Sequence, residues 1–135
     1  MKKHINDLIP LALDAVEIEL KENGKIASQY NGYISSLGSG LVQGGLLPTL
    51  AFYTNLQSRS EKDRLQLMKA IYRVVTGVKG VQKLDGDELL KMAVKVQDDV
   101  TESYFLKEQI RNAAVAIKLS IRTFKLDKRE VAFES

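Results

Sequence analysis

Apolar residues in this chain recur almost everywhere at the spacing of a helix rather than the alternation of a strand. Ile5, Leu8, Ala12, then Ala15 or Val16, then Ile18 or Glu19, trace a first helix that should end at Asn23-Gly24. Pro10 falls early in that helix and either kinks it or marks its true start. A second, short helix is expected over about 28–37, on Tyr30, Tyr33, Ile34 and Leu37. A third, over about 46–56, carries Leu46, Leu47, Leu50, Ala51 and Phe52, with Pro48 tolerable only in its first turn. The fourth runs over about 61–76 on Leu65, Met68, Tyr72 and Val75 and stops near Gly77. Asp85-Gly86-Asp87-Glu88 has the form of a capping box, which opens a fifth helix over 86–98 on Leu89, Leu90, Ala93, Val94 and Val96. A sixth covers about 103–125. Runs of β-branched residues such as Val74-Val75 are too short to argue a sheet. The pattern therefore predicts an all-α protein, a compact single-domain bundle of about six helices over residues 1–135.

The sixth helix carries two rows. Leu106, Ile110, Ala113, Ile117, Ile121 and Phe124 repeat at steps of four and three, the row a helix buries against its own core. Beside it, Lys107, Arg111, Lys118, Arg122, Lys125 and Arg129 fall within an arc of roughly 60° at about 100° per residue. No acidic residue interrupts that stripe from Gln109 to Lys125. Such a surface fits an extended anion, and these six are the candidate binding residues. The plainer alternative is that long basic side chains flank a buried seam and lay their stems along it. The nearby rings, Tyr104, Phe105 and Phe124, are expected to pack in the core.

Charge is unevenly spread. Residues 1–58 hold four basic and five acidic side chains, whereas residues 59–135 hold sixteen and twelve, so the positive excess sits toward the end. From Ile26 to Ser58 there are 33 positions without one charge, in a chain that is 27% charged. Ser, Gln, Asn, Thr, five glycines and Pro48 are scattered through that stretch, which argues against a membrane span and for burial or a partner surface. Gly38, Gly40 and Gly44 make G-x-G-x-x-x-G, one residue too long for a dinucleotide fingerprint, and no strand precedes them. They are expected to end the second helix at Gly38 and bend the chain into the third.

Catalytic chemistry has little to work with. Cysteine is absent and His4 is the sole histidine, which leaves no thiolate site and no evident triad. Asp85, Asp87, Glu88, Asp98, Asp99 and Glu102 cluster, but at helix starts and turns, where carboxylates favour the helix dipole. No catalytic residue, metal ligand or cofactor is expected. The Met1–Asp7 start lacks a clean apolar core and cleavage site, which predicts a cytoplasmic protein.

Gly45-Leu46, followed by Leu50-Ala51-Phe52-Tyr53, resembles the glycine–leucine … leucine–alanine–phenylalanine signature of the small subunit of type III-B CRISPR effector complexes, the Cmr small subunit. Tyr30 before the signature, Tyr104 leading into a basic final helix, and the length agree with that layout. Members often carry a tryptophan in the last helix; here Ser120 stands in its place. The resemblance implies a non-catalytic part that stacks in several copies along a ribonucleoprotein filament. Its partners would be other Cmr subunits, copies of itself, and the guide and target RNA, whose backbone its basic faces would line. Two other readings stand beside it. One is a free-standing DNA-binding regulator, which would need a helix–turn–helix in 61–77. The other is a protein-only adaptor whose stripe binds acidic partners.

Overall fold

The computed structural model describes residues 4–55, 61–78, 80 and 82–134, with the side chains of 61, 62 and 125–134 outside the described set. It is a compact helical bundle. The order is α1 (Ile5–Ala15), a π-helical turn (Val16–Leu20), β1 (Lys21–Glu22), β2 (Lys25–Ile26), α2 (Gln29–Gln43), α3 (Leu46–Thr54), α4 (Glu61–Thr76), α5 (Glu88–Lys95) and α6 (Val100–Glu134). α6 packs against α1, α4 and α2, while α3 and α5 pack on each other and on α4.

The chain leaves its first helix differently from the expectation. The π turn inserts one residue into the apolar series, so that Ala15 and Val16 are both buried and the next core position is Leu20. The helix then stops before Asn23-Gly24, which instead forms the tight turn of an antiparallel hairpin with Lys21 opposite Ile26. Asn23 and Gly24 both have positive φ, 53° and 75°, as a two-residue hairpin turn requires. Ile26 comes off that hairpin into the core. Pro10 lies inside α1 at an exposed position, where the carbonyl it cannot bond is close to water.

α2 runs six residues past the expected end. Gly38 and Gly40 are within the helix, and the bend comes at Gly44-Gly45, where Gly45 takes φ 91° and its N–H returns to the Gly40 carbonyl at 3.1 Å. Gly40 has a packing reason: a Cβ there would meet Thr49 of α3 at 3.0 Å. α5 is shorter than expected at both ends. Asp87 makes no side-chain cap; only the other half of the box forms, with Glu88 accepting from the backbone N–H groups of Asp85 (2.7 Å) and Gly86 (2.8 Å). Gly86 is obligatory, since it has φ 104° and a Cβ would collide with Leu65. α6 begins three residues early, at Val100, because Asp99 Oδ1 caps the Glu102 N–H at 3.0 Å. The third helix ends at Thr54, and the expected residue 56 lies outside the described set.

Leu106, Ile110, Ala113, Ile117 and Ile121 are buried as the periodicity predicts, with Phe124 half-buried. Ala114, Ala116 and Ser120 join them and widen the buried arc to roughly 160°. On α4 the buried face is rotated from the expected one. Leu67, Met68, Ala70, Ile71 and Val74 are inside, while Leu65, Tyr72 and Val75 sit at its edges. On α3, Leu50 and Tyr53 point inward but Phe52 is 56% exposed, with the Arg64 guanidinium 4.6 Å over its ring. The phenol of Tyr53 donates to the Tyr33 carbonyl at 2.7 Å and joins α3 to α2. Tyr30 is also buried and points its hydroxyl at Asp63 of α4, and both features push its ionisation well above the ordinary tyrosine range.

Arg73 ties the periphery to this core. It is 3% exposed; Nε donates to Glu19 in the π turn at 2.5 Å, Nη1 to the Gly80 carbonyl at 3.0 Å and Nη2 to the Gln82 carbonyl at 2.5 Å. Gln66 Nε2 donates to the Glu19 carbonyl at 2.7 Å and holds the same turn from two helical turns away.

Two stability predictions follow from this packing, both read by urea unfolding. Leu50→Ala should cost about 2–5 kcal/mol and Phe52→Ala less, about 1–2 kcal/mol, because its outward ring loses the Arg64 cation–π contact and an edge contact with Tyr53. Arg73→Met should cost about 3–5 kcal/mol by leaving Glu19 buried without its partner, and adding Glu19→Gln should recover part of that loss. Equal losses for Leu50→Ala and Phe52→Ala would contradict the outward orientation of Phe52.

Candidate nucleic-acid interface

The wide buried arc of α6 dictates where its basic residues go. Lys107, Arg111, Lys118 and Arg122 follow the edge of that arc, two of them half-buried (Lys107 and Lys118) and two exposed (Arg111 and Arg122). Their strip extends about 22 Å along the helix at 1.5 Å per residue. The structure thus brings four of the six candidates onto one line. The side chains of Lys125 and Arg129 lie outside the described residues.

Beside the strip runs a groove of about 430 Å³ between α2 and α6. Arg111, Val115 and Lys118 form one wall; Ser35, Gly38 and Ser39 form the other. Lys118 Nζ donates to Ser35 Oγ at 3.2 Å across it. α2 contains no charged residue, so the field in the groove comes from α6. Positive charge on one wall, hydroxyl donors on the other and no carboxylate between them form an arrangement suited to phosphate oxygens. One acid stands at the border: Glu108 accepts from Arg111 Nη1 at 2.9 Å, an exposed i,i+3 pair. Such a pair contributes only about 0.2–0.5 kcal/mol, so Arg111 can exchange partners at little cost.

Sequence reasoning missed the α2 wall because Gly38 was read as a helix stop. The available signal was the set Gly32, Ser35, Ser39 and Val42, small or uncharged residues at steps of three and four, all exposed. It also misplaced the rings. Tyr104 is 61% and Phe105 52% exposed, because α6 starts before it reaches the core and Leu106 is its first buried position.

Among the described residues one acidic group, Asp85, Asp87 and Glu88, brings carboxylate oxygens within 4.8 Å of one another. Three of its oxygens are engaged, while Asp87 Oδ1 is buried without a hydrogen-bond partner. Both Glu88 oxygens accept backbone N–H groups, which is capping chemistry, and Asp87 Oδ2 pairs with Lys91 at 3.4 Å one turn along α5. No helix among the described residues is long and apolar enough to cross a membrane.

Gly38 has no packing reason within the chain. A Cβ there would meet nothing within 4 Å, yet a glycine inside a helix costs about 0.5–1 kcal/mol relative to alanine. The glycine leaves the groove open to close approach from outside. Gly38→Ala should therefore raise stability by about 0.5–1 kcal/mol in thermal unfolding while weakening whatever occupies the groove. A loss of stability would mean that α2 needs the glycine for its own packing.

A family model described as CRISPR-associated protein (Cas_Cmr5) matches residues 9–116. The matched segment takes in α2, Lys107 and Arg111 and ends before Lys118 and Arg122. No curated protein and no solved structure matches the chain.

Proposed function

From the premise that the chain belongs to the Cas_Cmr5 family, the small subunits of type III-B CRISPR Cmr complexes, we propose that it lines the RNA path of such a complex with its α2–α6 groove. Family membership itself carries association with other Cmr subunits. The finer reading is that Lys107, Arg111, Lys118 and Arg122 contact the phosphates of guide RNA paired with target, together with Lys125 and Arg129. The observation that carries it is the basic strip on one wall of a groove that has serine hydroxyls on the other and no carboxylate in its lining. Such contacts read backbone position and duplex shape and leave sequence to base pairing. In this reading the chain is cytoplasmic and non-catalytic, and cutting belongs to other subunits. The outward Phe52 on α3 supports a protein contact on the opposite side of the charge-free segment, with a further copy of the chain or another subunit.

The DNA-regulator reading fares less well. The 61–77 segment contains one unbroken helix, α4, whose Arg64 and Arg73 are buried rather than offered to a groove. An adaptor for acidic proteins makes a different prediction about RNA, and the test separates the two.

Each phosphate contact releases counterions, so log affinity should fall with log salt by about 0.7 per contact on single-stranded RNA. Lys118→Glu with Arg122→Glu should weaken binding alike for unrelated RNA sequences and flatten the salt dependence by more than about one unit. The melting temperature should hold, because neither residue belongs to the buried row. Glu108→Gln should act in the opposite sense, strengthening binding about twofold by freeing Arg111. Lys2→Glu with Lys3→Glu changes net charge equally and serves as the control. Equal weakening by both charge reversals would reduce the strip to a solvated face, and unchanged RNA binding with lost assembly would favour the adaptor.

A further inference from the structure

We propose that Tyr104, backed by Lys107, is a stacking platform for an unpaired RNA base at the end of the basic strip; this rests on the reading of the strip as an RNA path. Three observations converge on it. Tyr104 is 61% exposed, and among the described residues its ring meets one cation, Lys107 Nζ, 5.3 Å from the centroid. Lys107 covers one face of the ring and leaves the other for a flat, polarisable partner. At about 100° per residue, Tyr104 lies within roughly 20° of Arg111 and Arg122, so it continues their line one helical turn beyond Lys107.

The third observation is what lies further on. N-terminal to Tyr104 the helix offers Val100, 85% exposed, and the chain before it carries the exposed carboxylates of Asp98 and Asp99. Asp99 is already committed to capping the helix. Phosphates that follow Arg122, Lys118, Arg111 and Lys107 meet negative charge there, so the backbone must leave the surface near Tyr104. At that point the strand presents a base rather than a phosphate, and Tyr104 with Val100 below it offers a shelf for its π-face. Aromatic stacking of this kind accepts any base, in keeping with a surface that reads no sequence. Phe105 points about 100° away from this line and takes no part.

The test uses the full chain with a single-stranded oligoadenylate of about twelve nucleotides and with the duplex it forms with oligouridylate. Tyr104→Ala should weaken single-strand binding about tenfold and duplex binding less than about twofold, since paired bases are not free to stack. Its salt dependence should match that of the unaltered chain, because no phosphate contact is lost. Tyr104→Phe should bind as the unaltered chain does. Tyr104→Trp should report directly: the protein has no tryptophan, so its emission comes from this site alone and should be quenched by the single strand. Unchanged affinity in Tyr104→Ala, with binding lost in Lys118→Glu/Arg122→Glu, overturns the stacking and leaves the phosphate path standing. Equal weakening of single strand and duplex with a flatter salt dependence overturns it too, by assigning the loss to a displaced Lys107. Intact RNA binding with lost association to the other Cmr subunits makes Tyr104 a protein contact. An unaltered chain without salt-dependent RNA binding overturns the proposed function and the stacking together.

Discussion

The burial of one side of α6, from Leu106 to Ile121, is the constraint to which the other elements answer. Its arc of roughly 160° is wider than a single neighbouring helix covers, so α1, α4 and α2 each take part of it. Alanines at 113, 114 and 116 bring neighbouring backbones close, and isoleucines at 110, 117 and 121 fill the space between them. Each fully buried isoleucine contributes about 1.5–3 kcal/mol. The remaining arc of about 200° on the α6 circumference faces outward. The basic residues occupy its edge because the geometry of burial puts them there, with their stems on apolar neighbours and their charges outward.

The second constraint is polar. Arg73 carries its charge into a site 3% exposed and is acceptable there because every donor group it uses finds an oxygen, on Glu19, Gly80 and Gln82. This one side chain joins the π turn to the segment between α4 and α5. The π turn in turn sets where the hairpin leaves α1 and hence where Ile26 enters the core. The helical layer and the loop layer are therefore joined through the buried Arg73–Glu19 pair.

Much of this was legible from residue spacing, and the misses have physical causes. The α6 row and the bounds of α4 were readable because their apolar and polar positions alternate cleanly at a period near 3.6. The first helix left Ala15 or Val16 and Ile18 or Glu19 undecided, and that ambiguity is the mark of the inserted π residue, which shifts the series by one. Asn23-Gly24 carried a hairpin signal that a helix-ending reading overrode. α3 is apolar nearly all round, so no period could say that Leu50 faces in and Phe52 out. Gly38 and Gly40 look alike in sequence; only the approach of Thr49 separates the one that packs from the one that stays open. The basic residues of the candidate site were visible in advance, but the serine wall facing them was not, because it belongs to a helix 83 positions away at the Ser35–Lys118 contact.

The groove has its two walls on different helices, and this gives it a thermodynamic meaning beyond recognition. Among the described residues, one lysine–serine hydrogen bond spans the groove between α2 and α6, a weak tie. A polyanion lying between them adds contacts to both helices only when the bundle is assembled, so it binds the folded chain and not the unfolded one. By mass action an occupant at a hundred times its dissociation constant raises stability by about 2.7 kcal/mol. Occupancy and folding are then linked quantities: a filled groove stabilises the chain, and any change that loosens α2 from α6 lowers the affinity of the groove by the same coupling.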